Sequence, residues 1–330
     1  MKEGRTRREL LTAAQRAELL AFPTDLLEIR EHYSLTPADL DLINRHRTEA
    51  NRLGFAVQLC LLRYPGRAWL PGDQLPSEML GFIAGQIGAE PSALGDYAQR
   101  DGTRREHQLE LLSALGWKAI DRLTYRVLAR WLVDIAWGVD QSISLVHELL
   151  GELRRRRILM PSIAELERLV AACRHQARRR TYEVLTFQLN DAQRDALDAL
   201  LRPQDETRLT RLGWIRESMG APSPAQILKR LDRLRALRSI GIPSDWARKV
   251  HQNRLLQMAR QAATMNVWHL RQLEPIRRYA TLVAVVLETI EMLSDQILAM
   301  HNQLISLYFK RPECEHADAL RSGDLWVVGS

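Results

Sequence analysis

Apolar residues recur at helical spacing along almost the whole chain, and strictly alternating apolar–polar stretches are nearly absent. Helix punctuation is equally regular. Thr36-Pro37 reads as an N-cap followed by proline in the first turn, with Asp39 placed to favour the helix dipole. Ser162-x-x-Glu165 fits a capping box, and Asn190-Asp191 and Ser223-Pro224 open further helices. Gly88, Gly116, Gly151 and Gly220 are candidate helix stops or close-packing positions. The pattern predicts an all-α fold: a multi-helix array, with short helices to about Leu153 and longer ones afterwards. One isolated strand pair is expected near Leu325–Val328.

Two stretches carry more than helix periodicity. Met79–Ala98 contains a helix, a Gly-containing turn and a Pro-Ser start to a second helix, the outline of a helix-turn-helix. Ala84 and Gly88 are expected at the crossing, with Ile83, Ile87, Leu94 and Tyr97 inside the corner. In Thr281–Phe309, Val283, Val286, Ile290, Leu293, Ile297, Met300, Leu304 and Leu307 keep an a/d register. Val285, Leu287, Met292, Leu298 and Ile305 widen that stripe and favour an intramolecular bundle over a dimer seam.

Charge sharpens the picture. The chain has 330 residues and a net charge of +7, with 47 basic residues that are nearly all arginine. Nine arginines between Arg154 and Arg180 face only Glu165 and Glu167, and Arg208–Arg260 is similarly basic, whereas Thr281–Ser330 is acidic. Such asymmetry suits an anionic partner for the earlier part. Between Arg45 and Arg67, Arg45, Arg47, Asn51, Arg52, Arg63 and Arg67 flank the apolar run Leu53–Leu62, and Pro65-Gly66 ends it. Guanidinium groups at the edges of a packed helix suit phosphate, although a salt-bridged solvated helix has the same composition.

Cys60, Cys173 and Cys314 lie far apart and offer neither a disulfide framework nor metal-ligand spacing; buried thiols in a reducing compartment fit them best. The charged N-terminus lacks a signal core, and Glu288, Glu291 and Asp295 interrupt the most apolar run. A soluble cytoplasmic protein is expected. No phosphate loop, His-Glu-x-x-His or paired catalytic constellation stands out. The expectation is therefore no catalytic residue, no metal, no cofactor, no membrane contact and no small-molecule substrate.

Several motifs occur together in order: Phe22-Pro-Thr-Asp-Leu26, His32–Leu40, Asn51–Cys60, Arg63-Tyr-Pro-Gly-Arg67 and Thr103-Arg-Arg-Glu-His107, then Arg154–Pro161 and Arg277–Val283. From about Leu11 to Phe309 the chain resembles the N-terminal region of the large transposases of the bacterial Tn-three family of replicative transposons. The resemblance implies helix-turn-helix-like DNA-binding modules that recognise terminal inverted repeats, followed by longer helices for dimerisation and scaffolding. It divides the chain into a bipartite DNA-binding region (1–160), a basic helical region (161–280), and a heptad-patterned helix with a truncated tail (281–330). The family's metal-dependent catalytic domain has no counterpart here. Leu320–Ser330 resembles a segment expected much later, as an internal deletion plus truncation would leave it.

The expected partner is double-stranded DNA at a transposon end, with a homodimer or a dimer with full-length transposase, in a bacterial, nucleoid-associated setting. Arg45, Arg47, Arg52, Arg63, Arg67, Arg100, Arg104 and Arg105 would neutralise phosphates. Asn51, Ser92, Gln99 and Thr103 would lie near the bases or backbone. Arg154, Arg155, Arg156, Arg157, Arg178, Arg179 and Arg180 would extend the footprint. The alternative is a non-enzymatic α-helical protein-interaction module with a basic face.

Overall fold

The structure, a computed structural model, describes residues 10–69, 73–98, 101–203, 209–217 and 220–322, with side chains of the last helix up to Ser306. Gln99, Arg100 and the expected strand at Leu325–Val328 lie outside the described residues. The fold is all-α. Its described residues form two compact units, one ending at Gln176 and the other beginning at Ala177.

The first unit holds α1 (Ala13–Leu20), α2 (Leu26–Tyr33), α3 (Pro37–Ile43), α4 (Glu49–Arg63), α5 (Ser77–Ile87), α6 (Leu94–Ala98), α7 (Asp101–Ala114), α8 (Arg122–Gly138), α9 (Ser142–Arg155) and most of α10 (Ile163–Thr186). Its centre is α4, where every residue from Leu53 to Leu62 is buried. A helix covered on all sides needs apolar or satisfied side chains all round. Helices α2, α3, α5, α6 and α7 surround it. The contact between α4 and α6 depends on Gly54, because a Cβ there would lie 2.1 Å from the Tyr97 ring.

Local sequence signals set many helix ends. Thr36 is the expected N-cap and closes a capping box with Asp39, as Asn190 does with Gln193, while Ser223 caps the helix begun by Pro224. The Ser162 amide and hydroxyl donate to Glu165, closing the box at α10. Gly88 ends α5 in the left-handed region (φ 63°), which glycine enters without a Cβ penalty. The expected crossing at Ala84–Gly88 is not formed by close approach, since a Cβ on Gly88 would meet nothing within 4 Å. Gly151 lies inside α9, and Gly220 falls in a loop against the Gln226 side chain, so neither stops a helix.

The second unit contains α11 (Asp191–Leu200), α12 (Arg211–Arg216), α13 (Pro224–Arg238), α14 (Gln252–Thr264), α15 (Val267–Arg271) and α16 (Pro275–Ser322). The longest helices, α10 and α16, follow Leu153 as expected, but short ones are interspersed with them. Leu282–Leu287 of α16 are buried against α13, α14 and other elements of this unit. The widened heptad stripe therefore packs intramolecularly here. Further along, Leu298 and Ile305 are exposed. No described helix is long and apolar enough to cross a membrane.

Candidate nucleic-acid interface

The loop from α3 to α4 and the first half of α7 are joined by a cluster of rings. The His46 ring lies 4.2 Å from that of His107 and 4.3 Å from Phe55. His46 Nε2 is 3.7 Å from a Glu110 carboxylate oxygen. The Tyr97 hydroxyl accepts from the Gln58 amide and stands 3.0 Å from His107 Nδ1, so it is free to donate there. The same Gln58 amide donates to the Arg104 carbonyl at 3.0 Å. Burial holds both imidazoles below their ordinary pKa, His107 at about 4, and their mutual repulsion adds to this for His107. Two neutral rings thus bind the loop to α7.

This contact sets Arg45 and Arg47, both exposed, beside the helix that carries Thr103, Arg104 and exposed Arg105. Arg104 lies with its guanidinium 5.8 Å from the Trp69 ring centre, and Trp69 stacks on Tyr97. Asn51 and Arg52 are half-buried on the first turns of α4. Ser92 is exposed, in a 3-10 turn at Pro91–Ala93 that leads into five-residue α6. The expected recognition helix over Ser92–Gln99 is thus no continuous α-helix, and its exposed face includes Asp96. Buried Leu94 and Tyr97 account for this, because they turn the segment onto the core.

Other arginines are committed within the fold. Arg63 pairs with Asp39, a carboxylate that burial would raise but that hydrogen bonds from Arg63 and Thr36 hold below its ordinary pKa. Arg67 is buried, 2.6 Å from Asp73 and with its guanidinium 4.7 Å from the Phe22 ring centre. Neither offers its guanidinium freely to a phosphate. The apolar surroundings that the sequence places beside them produce this: a charge at the edge of a buried helix must find a partner.

The C-terminal end of α9 packs on the corner that follows α4. The Arg154 guanidinium lies 5.1 Å from the Tyr64 ring centre, next to the cis Tyr64–Pro65 peptide. Arg155 and Arg156 both hold buried Glu152, at 2.7 and 2.6 Å, which keeps that carboxyl below its ordinary pKa through hydrogen bonds first from Arg155 and then from Arg156. Arg157, at φ 53°, donates to the Leu115 carbonyl. The structure thus brings Arg154–Arg157 to the Arg63–Arg67 corner, which sequence spacing could not reveal. Arg178, Arg179 and Arg180 belong to the second unit, where Arg179 pairs with Glu183 at 3.0 Å.

Some arginines of the later basic stretch are likewise committed within the second unit, whereas Arg211, Lys229, Arg238, Arg248 and Arg260 are exposed. Arg216 donates to the Ala262 and Met265 carbonyls, capping the end of α14, and Arg233 donates to the Glu217 carbonyl. Cys60 and Cys173 are the expected buried thiols, with burial pushing Cys60 up to about 12. His46, Gln58, Tyr97 and His107 were not legible as a group, because their four positions lie on separate elements. The lone Gly54 within a helical pattern was the available signal.

Residues 10–173 match a family described as "Domain of unknown function (DUF4158)". The chain is 38% identical over 311 residues to the transposase for transposon Tn21 of Escherichia coli, covering 94% of this chain and 31% of that protein. It is 36% identical to the transposase for transposon Tn501 of Pseudomonas aeruginosa, again over 94% of this chain and 31% of the relative. The Tn1546 transposase of Enterococcus faecium is 33% identical over 92% of this chain and 31% of its own length. The chain thus spans about a third of these curated relatives. With similarity running along nearly its whole length, the chain is homologous to the transposases of the Tn-three family and corresponds to their N-terminal region.

Proposed function

We propose that the first unit binds duplex DNA at the terminal inverted repeats of a transposon, with Arg45, Arg47 and Arg105 as its leading phosphate contacts. The observation that carries this reading is the His46–His107 packing, which sets the exposed arginines of one loop beside those of α7. Thr103, Arg104 and Asn51 stand close enough in the same elements to add contacts, and Arg154–Arg157 offer a second group. Arg63 and Arg67 act by holding the corner rather than by touching DNA. The Arg178–Arg180 group contributes from the second unit.

On this reading the chain contributes recognition of the transposon ends. Through that binding it takes part in transposition, or interferes with it by occupying the ends, within the bacterial cytoplasm. Exposed Leu298 and Ile305, one heptad apart on α16, support pairing with another copy or with a full-length relative.

Gel shifts with an inverted-repeat duplex and a scrambled duplex of equal length test the reading. The repeat should bind more tightly, and Arg45→Gln/Arg47→Gln should weaken both complexes while leaving the fold intact. Equal affinity for the two duplexes, unchanged in the double variant, would remove the proposal and favour an acidic protein partner.

A further inference from the structure

A cavity of about 630 Å³ lies within the second unit, between α12, α13, α14 and α16. Its volume falls in the range of pockets that hold small organic ligands. The apolar lining comes from Ile215, Leu256, Ala259, Val285, Met292 and Leu293. Arg216, Arg230, Arg233 and Arg260 also line it, and Glu217 and Glu288 are its acids.

The charges do not balance. Arg233 is 4% exposed and Arg230 8%, one helical turn apart on α13. Among the described residues Arg230 bonds only to the Gln296 side chain and the Gln226 carbonyl, with no carboxylate in reach. Arg233 Nε is buried without a partner, and its pairing with Glu217, at 3.1 Å, is to a largely exposed carboxylate. Burial lowers the pKa of Arg233; the Glu217 charge opposes this, and the neighbouring Arg230 charge adds to it. Glu288 provides little compensation: burial and the Glu291 charge raise its pKa, and it accepts from Gln252. Two guanidinium groups held together over an apolar floor, with one largely exposed carboxylate for the pair, leave room for a second anion.

We infer that this cavity binds an organic carboxylate with an apolar body, its head held by Arg230 and Arg233 and its tail against Leu256, Val285 and Met292. Planar guanidinium groups match a carboxylate with paired hydrogen bonds, and the apolar helix faces take the tail. The ligand is a bound effector or structural filler, separate from any DNA contact in the first unit.

Decanoate below its micelle concentration is the probe, with decanol and inorganic phosphate as controls, read by calorimetry and thermal unfolding of the whole chain. Saturable binding and a raised midpoint are expected for decanoate, with decanol and phosphate each weaker. Arg230→Met, which keeps the volume, should weaken decanoate by about tenfold. Met292→Asp, at a half-exposed position that the fold tolerates, should abolish it. No saturable decanoate binding to the wild-type chain would overturn the inference, as would decanol binding equally well or both variants binding unchanged. Sedimentation identifies the other source of a carboxylate: a dimer broken by Arg230→Met and indifferent to decanoate would also overturn it.

Discussion

Gly54 and Gly81 both lie inside helices, yet their surroundings assign them opposite consequences. In a helix interior, Gly→Ala is favourable by about 1 kcal/mol. At Gly81, where a Cβ meets nothing within 4 Å, Gly81→Ala should raise stability by about that amount in urea unfolding. At Gly54 the added methyl collides with a buried Tyr97 ring, and Gly54→Ala should lower stability by about 1–3 kcal/mol despite the better propensity. Arginines divide in the same way. Arg63→Gln strips a buried carboxylate, Asp39, of its charged partner, and should cost about 1–3 kcal/mol. Arg45→Gln, at an exposed position, should stay within about 0.5 kcal/mol. Equal losses for the two variants in unfolding experiments would contradict this division.

At the scale of elements, two neutral imidazoles join the α3–α4 loop to α7. His107 is pushed down to about 4 in the folded chain, against an unfolded value near 6.5. A depressed folded value means that the unfolded chain binds the proton more readily, so the stabilisation is complete above about pH 6.5 and is lost as the pH falls towards 4. The loss should amount to about 3 kcal/mol for this group. His107→Phe keeps a ring in place and should flatten that part of the profile, measured by urea unfolding between pH 7 and 4; an unchanged slope would count against it. The helices themselves were legible in the sequence, because Thr36, Asn190 and Ser223 cap through residues three positions away. The corner around Ser92–Gln99 was not. Whether Leu94 and Tyr97 extend a helix or turn it inward depends on α4, some forty residues earlier. The partners of the arginines were hidden for the same reason: Arg67 and Asp73, or Arg216 and the end of α14, meet through packing.

For the molecule as a whole, electrostatic attachment to DNA has a quantitative signature. Each phosphate neutralised contributes about 0.9 to the slope of log affinity against log salt concentration. Replacing Arg45 and Arg47 with glutamine should therefore reduce that slope by close to 2, while Arg67→Met should leave it nearly unchanged in any protein that remains folded. A salt titration on an inverted-repeat duplex measures both. An all-α chain, its caps, its buried thiols and its resemblance to transposases were determined by the sequence alone, because periodicity, capping chemistry and linked motifs are written locally or in order along the chain. Which arginines remain available, which glycine permits a helix crossing, and that His46 meets His107 were decided only by tertiary structure. A side chain's charge is fixed by its residue type. Its burial and its partner depend on elements far away in the sequence, and those decide whether the charge faces a ligand or holds the fold.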